Sequence, residues 1–481
     1  MRCIVLALVF GSIGFSGCRT GSANIGDGPE ARRATLAFRG ALVRADGTVL
    51  SDAVVLVHGD RITGVGSAAE VTVPEGTPVV GGPDKWIVPG LIDAHVHFFQ
   101  SGGMYTRPDI LDLTARRPYA EERAIIRAAL PRTFARYLRS GVTAVVDVGG
   151  PMWNFEVRRA AAGHALAPRV AAAGPLLSSA ARPQMALDDP PILQVTDPAR
   201  ARALVREMKP QQPDLVKLWW IVPPGGTAAD WLPVGQAAID EAHQLGLRVA
   251  VHATELETAR TAVKAGADVL VHSVSDVPAD DAFHALLRER KVPYTTSLVV
   301  LEGYAEALSR QVRLSSLEQE LADPFVIATL VESVPGNPTT AERMRRRFDV
   351  ARENVRRAQK AGVVLAAGTD AGNIGTLHGP AMHRELEILV EAGLTPAEAL
   401  RAATTGAARV FGREDIGSLE KGNVADALVL DANPLEDVRN LARIHRVVKA
   451  GVARGPAEML TPTPEENAQR EANTRAATGG K

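Results

Sequence analysis

The stretch Val88-Pro-Gly-Leu-Ile-Asp-Ala-His-Val-His97 decides which fold this sequence predicts. Its apolar residues predict a buried β-strand, and His95 and His97 stand two positions apart at the carboxyl end of that strand. Alternate residues of a strand face the same side, so both imidazoles can reach one cation. Neutral imidazole is a common ligand for zinc and related metals. A His-x-His pair alone is a weak signal, and a metal site therefore needs further ligands from other strands.

Downstream of this stretch, short apolar runs alternate with helical patterns, which is typical of consecutive βαβ units. Eight such units predict an α/β fold of the (β/α)8 TIM-barrel type, with its longest insertion at 301–339. The predicted strands are Ile87–His95, Thr143–Val148, Arg169–Ala173, Leu215–Trp219, Arg248–His252, Val269–His272, Pro293–Val299 and Val363–Gly368. The predicted helices include 236–245, 257–265, 279–288 and 340–361.

Both ends of the chain have a different texture, with short β-like runs separated by Gly and Asp turns. These runs predict one small discontinuous β-sandwich domain, built from both chain ends and placed beside the barrel. The predicted strands are 36–43, 53–58, 61–65, 426–431 and 444–450. The predicted domain bounds are 34–90 and 412–455 for the β-sandwich, 91–411 for the barrel and 456–481 for a polar, disordered tail.

Three further residues with metal-binding side chains end predicted barrel strands. His252 and His272 each close a short apolar run, and Asp370 follows the last strand. The carboxyl ends of barrel strands meet at one face, where active sites lie. An acid at a strand tip either caps the next helix or faces a metal-bound water as ligand and general base. Together with the His-x-His pair, these residues predict a metal centre.

Lys217 stands inside the apolar run Asp214-Leu-Val-Lys-Leu-Trp-Trp220, which forms the fourth predicted strand. A buried ammonium group at that place is costly unless it is paired or neutral. One interpretation is an ion pair with a nearby carboxylate. The other is a neutral amine that captures carbon dioxide, because the resulting carbamate is an anionic oxygen ligand that can bridge two metals.

These motifs resemble those of the amidohydrolase superfamily, and more narrowly its imidazolonepropionase-like and prolidase-like branch. The resemblance runs from Ala34 to Gly451 and is also carried by the stretches 141–150, 392–404 and 417–426. It implies a barrel that holds one or two divalent metals, with two Zn2+ bridged by carboxylated Lys217 as the expected state. It also implies hydrolysis of an amide or related C–N bond in a peptide-like or N-acyl substrate. The nucleophile is then a metal-activated hydroxide, and Asp370 is the general base.

Two alternative functions remain open from the sequence. His252-Ala-Thr-Glu255 resembles the His-x-x-Glu of superfamily deaminases, in which one metal suffices and the glutamate shuttles a proton. An acid at the position of Glu255 is equally typical of the first turn of a helix, where the helix dipole favours it. The second alternative is a metal-binding lipoprotein without catalytic activity.

Aromatic and basic residues near the predicted ligands are candidates for contacting a small-molecule substrate. Tyr105, Arg107 and Trp219 follow the first and fourth predicted strands. Aromatic side chains there predict a pocket for an apolar or aromatic group, with Tyr105 or Arg107 as a polar anchor. Packing within the loops is the alternative. His378 and His383 follow the last predicted strand and are candidates for supporting the metal ligands.

Both cysteines, Cys3 and Cys18, lie at the start of the chain, so the rest of the sequence can hold neither a disulfide nor a Cys-zinc site. Residues 1–17 are typical of a signal peptide, and 18–33 of a tether. Phe15-Ser-Gly-Cys18 resembles a bacterial lipobox. It predicts a lipid anchor on Cys18 and an exported lipoprotein on the periplasmic side of the outer membrane, with a periplasmic or secreted protein as the alternative. The formal charge of −1 gives no reason to expect nucleic acid as a partner, and the sequence leaves an oligomer open.

Overall fold

The computed structural model describes residues 34–477. The predicted signal peptide (1–17), the predicted tether (18–33) and residues 478–481 lie outside the described residues. Strands and helices alternate through the middle of the described chain, and strands from its two ends form a separate sheet.

The strands are β1 Leu36–Val43, β2 Val49–His58, β3 Arg61–Ser67, β4 Val79–Pro89, β5 Leu91–Val96, β6 Val142–Asp147, β7 Arg169–Ala172, β8 Leu176–Ser178, β9 Ile192–Gln194, β10 Leu215–Trp219, β11 Arg248–His252, β12 Val269–Val271, β13 Tyr294–Thr295, β14 Leu365–Ala366, β15 Ala427–Leu430, β16 Ile444–Lys449 and β17 Val452–Arg454. The α-helices are α1 Tyr119–Arg139, α2 Asn154–Ala162, α3 Pro198–Met208, α4 Ala228–Gln244, α5 Leu256–Lys264, α6 Asp281–Glu289, α7 Val299–Ser309, α8 Ser316–Leu321, α9 Pro324–Val331, α10 Pro338–Lys360, α11 Ala381–Glu391, α12 Pro396–Arg401, α13 Ala407–Phe411, α14 Pro456–Met459 and α15 Pro464–Ala477.

Eight parallel strands close a barrel in the middle of the chain. β5, β6 and β7 pair side by side, and β10 to β14 pair in chain order. Two backbone hydrogen bonds join these groups into a ring. The Asp214 amide donates to the Ala172 carbonyl at 3.1 Å, and the Ala94 amide donates to the Ala367 carbonyl at 3.0 Å. This is the TIM-barrel-like α/β fold that the sequence predicts.

Barrel strands are buried on both faces, which explains why they are nearly continuous apolar runs in the sequence. Every residue of β6 and β10 is buried. Side chains at the helix starts fix where several of the surrounding helices begin. Asp197, Asp280 and Asn337 accept hydrogen bonds from first-turn backbone amides of α3, α6 and α10.

Several barrel strands are shorter than the sequence predicts, and the eighth covers only Leu365–Ala366 of the predicted Val363–Gly368. Residues 87–89 belong to β4 of the terminal sheet, and the barrel begins at Leu91. Gly90 lies between these strands and must be glycine, because a Cβ at this position would lie 2.2 Å from the Thr143 Oγ1 atom. The predicted start of the first strand at Ile87 is therefore wrong, since one apolar run serves two sheets. The seventh strand ends early as well, because Val299 already begins α7.

Strands from both ends of the chain share one seven-stranded sheet, in the order β17-β16-β15-β4-β1-β2-β3. β4 joins the two contributions, since it pairs parallel to β1 and antiparallel to β15. Phe38, Val55 and Ile87 belong to its buried apolar core. That this sheet folds into two packed layers, as a β-sandwich, stays a prediction.

The insertion between the last two barrel strands is helical. It contains α8, α9 and most of α7, and α10 follows it. α7 and α10 place Leu301, Tyr304 and Met344 in the wall of a cavity above the barrel. Among residues 34–477, no helix is both long and apolar enough to cross a membrane.

The last described segment is helical, so the prediction of a disordered tail at 456–481 is wrong for residues 456–477 apart from short connections. Glu466 of α15 is 4% exposed and accepts hydrogen bonds from Arg132 and Arg136 of α1. Asn473 donates to the Pro324 carbonyl at 2.8 Å. Paired charges anchor this helix to the barrel. The polar composition predicted disorder because it did not reveal that Glu466 is buried against Arg132 and Arg136.

Candidate metal centre

His95, His97 and Asp370 bring three ligand atoms together at the carboxyl end of the barrel. The Nε2 atoms of His95 and His97 are 3.3 Å apart, and Asp370 Oδ1 lies 3.2 Å from each of them. His95 is 0% exposed, and His97 and Asp370 are each 6% exposed. The first and last barrel strands are neighbours when the barrel closes, which explains how residues far apart in sequence meet here.

This triangle of atoms fits a divalent metal. Ligand atoms about 2.0–2.1 Å from zinc at tetrahedral angles lie about 3.3 Å apart, close to the separations found here. Imidazole nitrogen and carboxylate oxygen are both accepted ligands of zinc and related metals. Burial lowers the pKa of His95 to about 4, although the neighbouring Asp370 carboxylate opposes this shift. The His95 ring is therefore neutral at pH 7 and able to bind a metal.

Hydrogen bonds on the far side of the imidazoles orient them. His97 Nδ1 lies 2.6 Å from the Gly149 carbonyl oxygen. A carbonyl only accepts, so Nδ1 carries the proton and the Nε2 lone pair faces the centre. His95 Nδ1 lies 3.3 Å from the Ser297 hydroxyl. Both supporting groups were missed from the sequence, because Gly149 follows β6 and Ser297 follows β13, and they meet the imidazoles only in the folded barrel.

The backbone around the centre is held in uncommon conformations. Asp370 has a φ of 59°, and its amide donates to the His95 carbonyl at 2.7 Å. At Gly372, with a φ of 106°, an added Cβ would lie 2.5 Å from the His97 carbonyl oxygen, so glycine is required. His272 has a φ of 107°, which residues with a side chain rarely adopt. Such strained residues persist where the surrounding structure holds them, and they are common at functional sites.

Asp93 ties the first barrel strand to the segment that carries Asp370. Its carboxylate accepts hydrogen bonds from the His95 amide at 3.2 Å, the Thr369 amide at 3.0 Å and the Thr369 hydroxyl at 2.6 Å. Burial raises the pKa of Asp93 to about 7 in spite of these bonds. Sequence analysis did not single out this residue, although an acid two positions before His95 in an apolar strand is a usable signal.

The remaining predicted ligands, Lys217, His252 and His272, lie on the other side of the same centre. The His272 ring centroid is 4.5 Å from the His95 and His252 centroids, and His272 Nε2 is 3.8 Å from Asp370 Oδ2. Burial lowers the pKa values of both His252 and His272 well below the usual value of imidazole. Lys217 is 1% exposed, and burial lowers its pKa to about 7. The structure thus gathers all six predicted residues around one cavity.

The cavity has a volume of about 260 Å³ and is bordered by both polar and apolar side chains. Trp219 lies at its edge, with its ring centroid 5.7 Å from that of His252. Leu301, Tyr304 and Met344 add apolar surface from the helices above the barrel. Of the three predicted substrate-contacting residues, Trp219 therefore lies in the pocket wall, with the Arg182 guanidinium 4.6 Å from its ring centroid.

The other two predicted substrate residues are engaged elsewhere. The Tyr105 hydroxyl donates to Glu332 at 2.9 Å, and Tyr105 is not among the residues that line the cavity. The cavity wall therefore gives no support to Tyr105 as a substrate anchor, because Glu332 of the insertion is a partner that the sequence did not reveal. Arg107 does line the cavity, but it is held by Asp109 through two hydrogen bonds of 2.7 Å.

Asn373 connects Arg107 to the metal centre. Its Nδ2 atom donates to Asp370 Oδ1 at 2.7 Å, and its Oδ1 atom accepts from Arg107 Nη1 at 2.6 Å and from the Tyr304 hydroxyl at 2.7 Å. Asn373 is 2% exposed. The chain of contacts from Asp109 to Asp370 fixes the orientation of the carboxylate. Sequence analysis missed Asn373, since an Asn in a Gly-rich loop is ordinarily a turn residue.

Arg347 of α10 and Glu255, which precedes α5, form an ion pair in the cavity wall. Arg347 Nη2 donates to Glu255 Oε1 at 2.6 Å, and the two side chains are 28% and 34% exposed. Sequence analysis proposed Glu255 as a proton shuttle and did not identify Arg347. A position in the middle of a long charged helix gave no signal that this arginine faces the pocket.

His378 and His383 support the framework rather than the cavity. His378 Nε2 lies 2.8 Å from the Gln100 carbonyl and its Nδ1 lies 2.8 Å from the Tyr137 hydroxyl. His383 Nε2 lies 2.9 Å from the Ser140 carbonyl. Burial lowers the pKa values of both residues to about 4.

The amidohydrolase family matches residues 86–454, and the chain therefore belongs to this family. It is a metal-dependent hydrolase. The match covers all eight barrel strands and includes all six residues gathered at the centre. It leaves out β1 to β3 and most of β4 in the terminal sheet.

The individual relatives have low sequence identity to this chain. An uncharacterized protein of Mycobacterium tuberculosis is 28% identical over 378 residues, which cover 77% of this chain and 86% of the relative. Ochratoxinase of Aspergillus niger is 26% identical over 455 residues, covering 85% of this chain and 83% of that protein. The crystal structure of that ochratoxinase superposes with a TM-score of 0.67 over 89% of this chain and 99% of its own. The structure of a Xaa-Pro dipeptidase with bound methionine superposes with a TM-score of 0.69 at 23% identity, over 87% and 99% of the two chains. At these identities, the superpositions show the shared fold.

Proposed function

We propose that this protein hydrolyses an amide or related C–N bond in a peptide-like or N-acyl substrate. The observation that carries the proposal is the near-equilateral set of ligand atoms from His95, His97 and Asp370, with separations of 3.2–3.3 Å. The named relatives support the choice of bond, since ochratoxinase and a Xaa-Pro dipeptidase share the fold. The pocket beside these atoms supports a small organic substrate.

His95, His97 and Asp370 would hold one divalent cation, and Lys217, His252 and His272 would complete a second site. Bound divalent metals lower the pKa of water toward neutrality and polarise a carbonyl group. Zinc is the metal we propose, because the donors are nitrogens and carboxylate oxygens at tetrahedral spacing.

Asp370 is the proposed general base and acid. Asn373 occupies its Oδ1 atom at 2.7 Å, so Oδ2, which faces His272 at 3.8 Å, is the oxygen that takes a proton from the attacking water. The same oxygen then returns the proton to the leaving nitrogen as the C–N bond breaks. Trp219 and the apolar residues of α7 and α10 shield the reacting groups from bulk water.

We also propose that Lys217 is carboxylated and bridges two metals. The side chain stands 1% exposed within the ring of ligands, where an ammonium group would add a positive charge next to two cations. The neutral amine attacks carbon dioxide, a proton leaves the nitrogen, and an anionic carbamate remains. Acid-labile carbon dioxide released from the wild-type protein but not from Lys217→Met protein tests this step.

The deaminase alternative is less well supported. Its proton shuttle would be Glu255, but that carboxylate is held by Arg347 at 2.6 Å in the wall of the cavity. A zinc content of one per chain together with ammonia release from a cyclic amidine or aminopurine would favour deamination. Two zinc ions per chain and release of an amine or amino acid would favour the amide hydrolase.

An exported lipoprotein with a lipid anchor on Cys18 remains our proposal for location. It is supported by the resemblance of Phe15-Ser-Gly-Cys18 to a lipobox. Incorporation of labelled palmitate into the wild-type chain and its loss in Cys18→Ala protein would support the proposal. Equal labelling of both proteins would contradict it.

The function itself is tested with a panel of dipeptides, including Xaa-Pro dipeptides, and N-acyl amino acids. The zinc-loaded protein is incubated with each compound, and the released amine or amino acid is quantified. We expect hydrolysis of at least one class and its loss in Asp370→Asn protein with unchanged zinc content. Hydrolysis at the wild-type rate by that variant would contradict the role of Asp370. No release from any panel member would contradict the proposed bond.

A further inference from the structure

Three basic side chains line the cavity at the metal centre: Arg107, Lys217 and Arg347. Arg107 is fully engaged, because Asp109 accepts hydrogen bonds from its Nε and Nη2 atoms, and Asn373 accepts one from its Nη1 atom. Lys217 is 1% exposed and lies among the metal-binding groups. Arg347 differs from both, since its side chain is 28% exposed at the cavity wall.

The position of Arg347 is set by the helix that carries it. Arg347 and Met344 stand three residues apart on α10 and therefore share a helix face, and both line the cavity. Glu255 accepts a hydrogen bond from Nη2 of Arg347 at 2.6 Å. Because Glu255 follows the end of β11 by only three residues, the guanidinium is held close to the side of the centre where His252 lies.

An arginine in this setting is suited to bind a carboxylate. The guanidinium has five N–H groups in a planar fork, and one ion pair with Glu255 leaves further N–H groups for a ligand. Polar side chains such as Thr254, Ser273 and Ser275 also line the cavity, but Arg347 is the most exposed of its three Lys and Arg side chains and can offer a positive charge to a carboxylate at the wall. Glu255 keeps the long side chain extended along the wall, which reduces the entropy lost on binding.

We propose that Arg347 binds a free carboxylate of the substrate and thereby selects amides that carry one, such as N-acyl amino acids and dipeptides with a free carboxyl terminus. This inference rests on the proposed amide hydrolysis and names the substrate class of that same site. Arg347 acts on binding and orientation, and it takes no part in proton transfer. Its loss therefore raises KM more than it lowers kcat.

The test compares pairs of substrates that differ only in a free carboxylate or its carboxamide. The wild-type protein is expected to favour the carboxylate member by about 10- to 100-fold in kcat/KM. Arg347→Gln should abolish this preference, chiefly through KM for the carboxylate member, while hydrolysis of the carboxamide falls much less and the zinc content stays unchanged. Arg347→Lys should restore part of the preference, because it keeps the charge and loses the planar fork.

Arg352→Gln is the matched control. Arg352 lies on the same helix, is 41% exposed and is not part of the cavity wall, so its substitution should change neither KM nor the preference. Equal loss of kcat/KM for both substrates in Arg347→Gln protein would indicate a structural role and overturn the proposal. An unchanged preference would overturn it as well.

Calorimetric binding to zinc-loaded Asp370→Asn protein separates this proposal from the proposed function. If carboxylates bind at least tenfold tighter than their carboxamides, and Arg347→Gln in the same background removes the difference, the contact exists even where no turnover is found. Equal affinities for both members of a pair would contradict a contact between Arg347 and the carboxylate. Hydrolysis of panel compounds by the wild-type protein would still support the proposed amide hydrolysis in that case.

Discussion

Replacing Asn373 by alanine tests how the carboxylate at the metal centre is held. The Nδ2 atom of Asn373 donates to Asp370 Oδ1 at 2.7 Å, and the two residues are 2% and 6% exposed. A hydrogen bond to a charged group in such a setting contributes about 1.5–3 kcal/mol. Because Asp370 must keep one orientation while it moves a proton, we expect Asn373→Ala to lower kcat by about 10- to 100-fold.

The assay is steady-state hydrolysis of the best substrate from the panel, with the zinc content measured on the same samples. Asn354→Ala is the matched control: Asn354 is also buried, but it donates to the Val274 and Val277 carbonyls and not to a predicted metal ligand. The control should lose stability and keep kcat. If fully metallated Asn373→Ala protein turns over within twofold of the wild type, the carboxylate does not depend on this contact and the reasoning is refuted.

The remaining predictions concern stability and the pocket. Glu466→Ala removes the carboxylate that pairs with buried Arg136, so the free energy of unfolding measured with urea should fall by about 3 kcal/mol. An unchanged urea concentration at the midpoint of unfolding would contradict the role of Glu466 in holding the last helix. His383 has a pKa of about 4 when folded and about 6.5 when unfolded, so its contribution to stability is complete above pH 6.5 and is lost as the pH falls toward 4. The unfolding free energy of the wild-type protein should therefore fall between pH 6.5 and 4, and His383→Gln should reduce that fall by up to about 3 kcal/mol. Parallel plots of unfolding free energy against pH for the two proteins would contradict this role of His383. Tyr105→Phe should leave KM unchanged, because the hydroxyl donates to Glu332 outside the cavity, whereas Trp219→Ala should raise KM by about tenfold. A larger increase in KM for Tyr105→Phe than for Trp219→Ala would contradict the assignment of the pocket wall.

The barrel and the six residues at its mouth could be predicted from the sequence because each lies at or near a strand end. In a parallel barrel all carboxyl ends meet at one face, so local patterns around His252, His272 and Asp370 also define their neighbourhood. Strand limits were less predictable. The run from Ile87 to Ile92 is apolar throughout, and only the pairing partners show where one sheet ends and the other begins: residues 87–89 pair with β15, and Leu91 pairs with β6.

Residues that depend on the insertion could not be predicted. Tyr105 looks like a pocket residue in sequence, yet Glu332 from the helical insertion binds its hydroxyl. Arg347 looks like one of many surface charges on a long helix, and only the packing of that helix over the barrel turns it toward the cavity. The helix at the end of the chain could not be predicted for a related reason. Its Glu466 pairs with buried Arg136, which is more than 300 residues away in sequence.

Under the proposed function, hydrolysis depends on a metal held by His95, His97 and Asp370. The most direct measurement removes the metal with a chelator, adds zinc back stepwise, and follows zinc content and substrate hydrolysis together. We expect activity to vanish in the metal-free protein and to return in proportion to zinc, with His95→Ala protein failing to recover. Hydrolysis by the metal-free protein at the rate of the zinc-loaded protein would contradict the account.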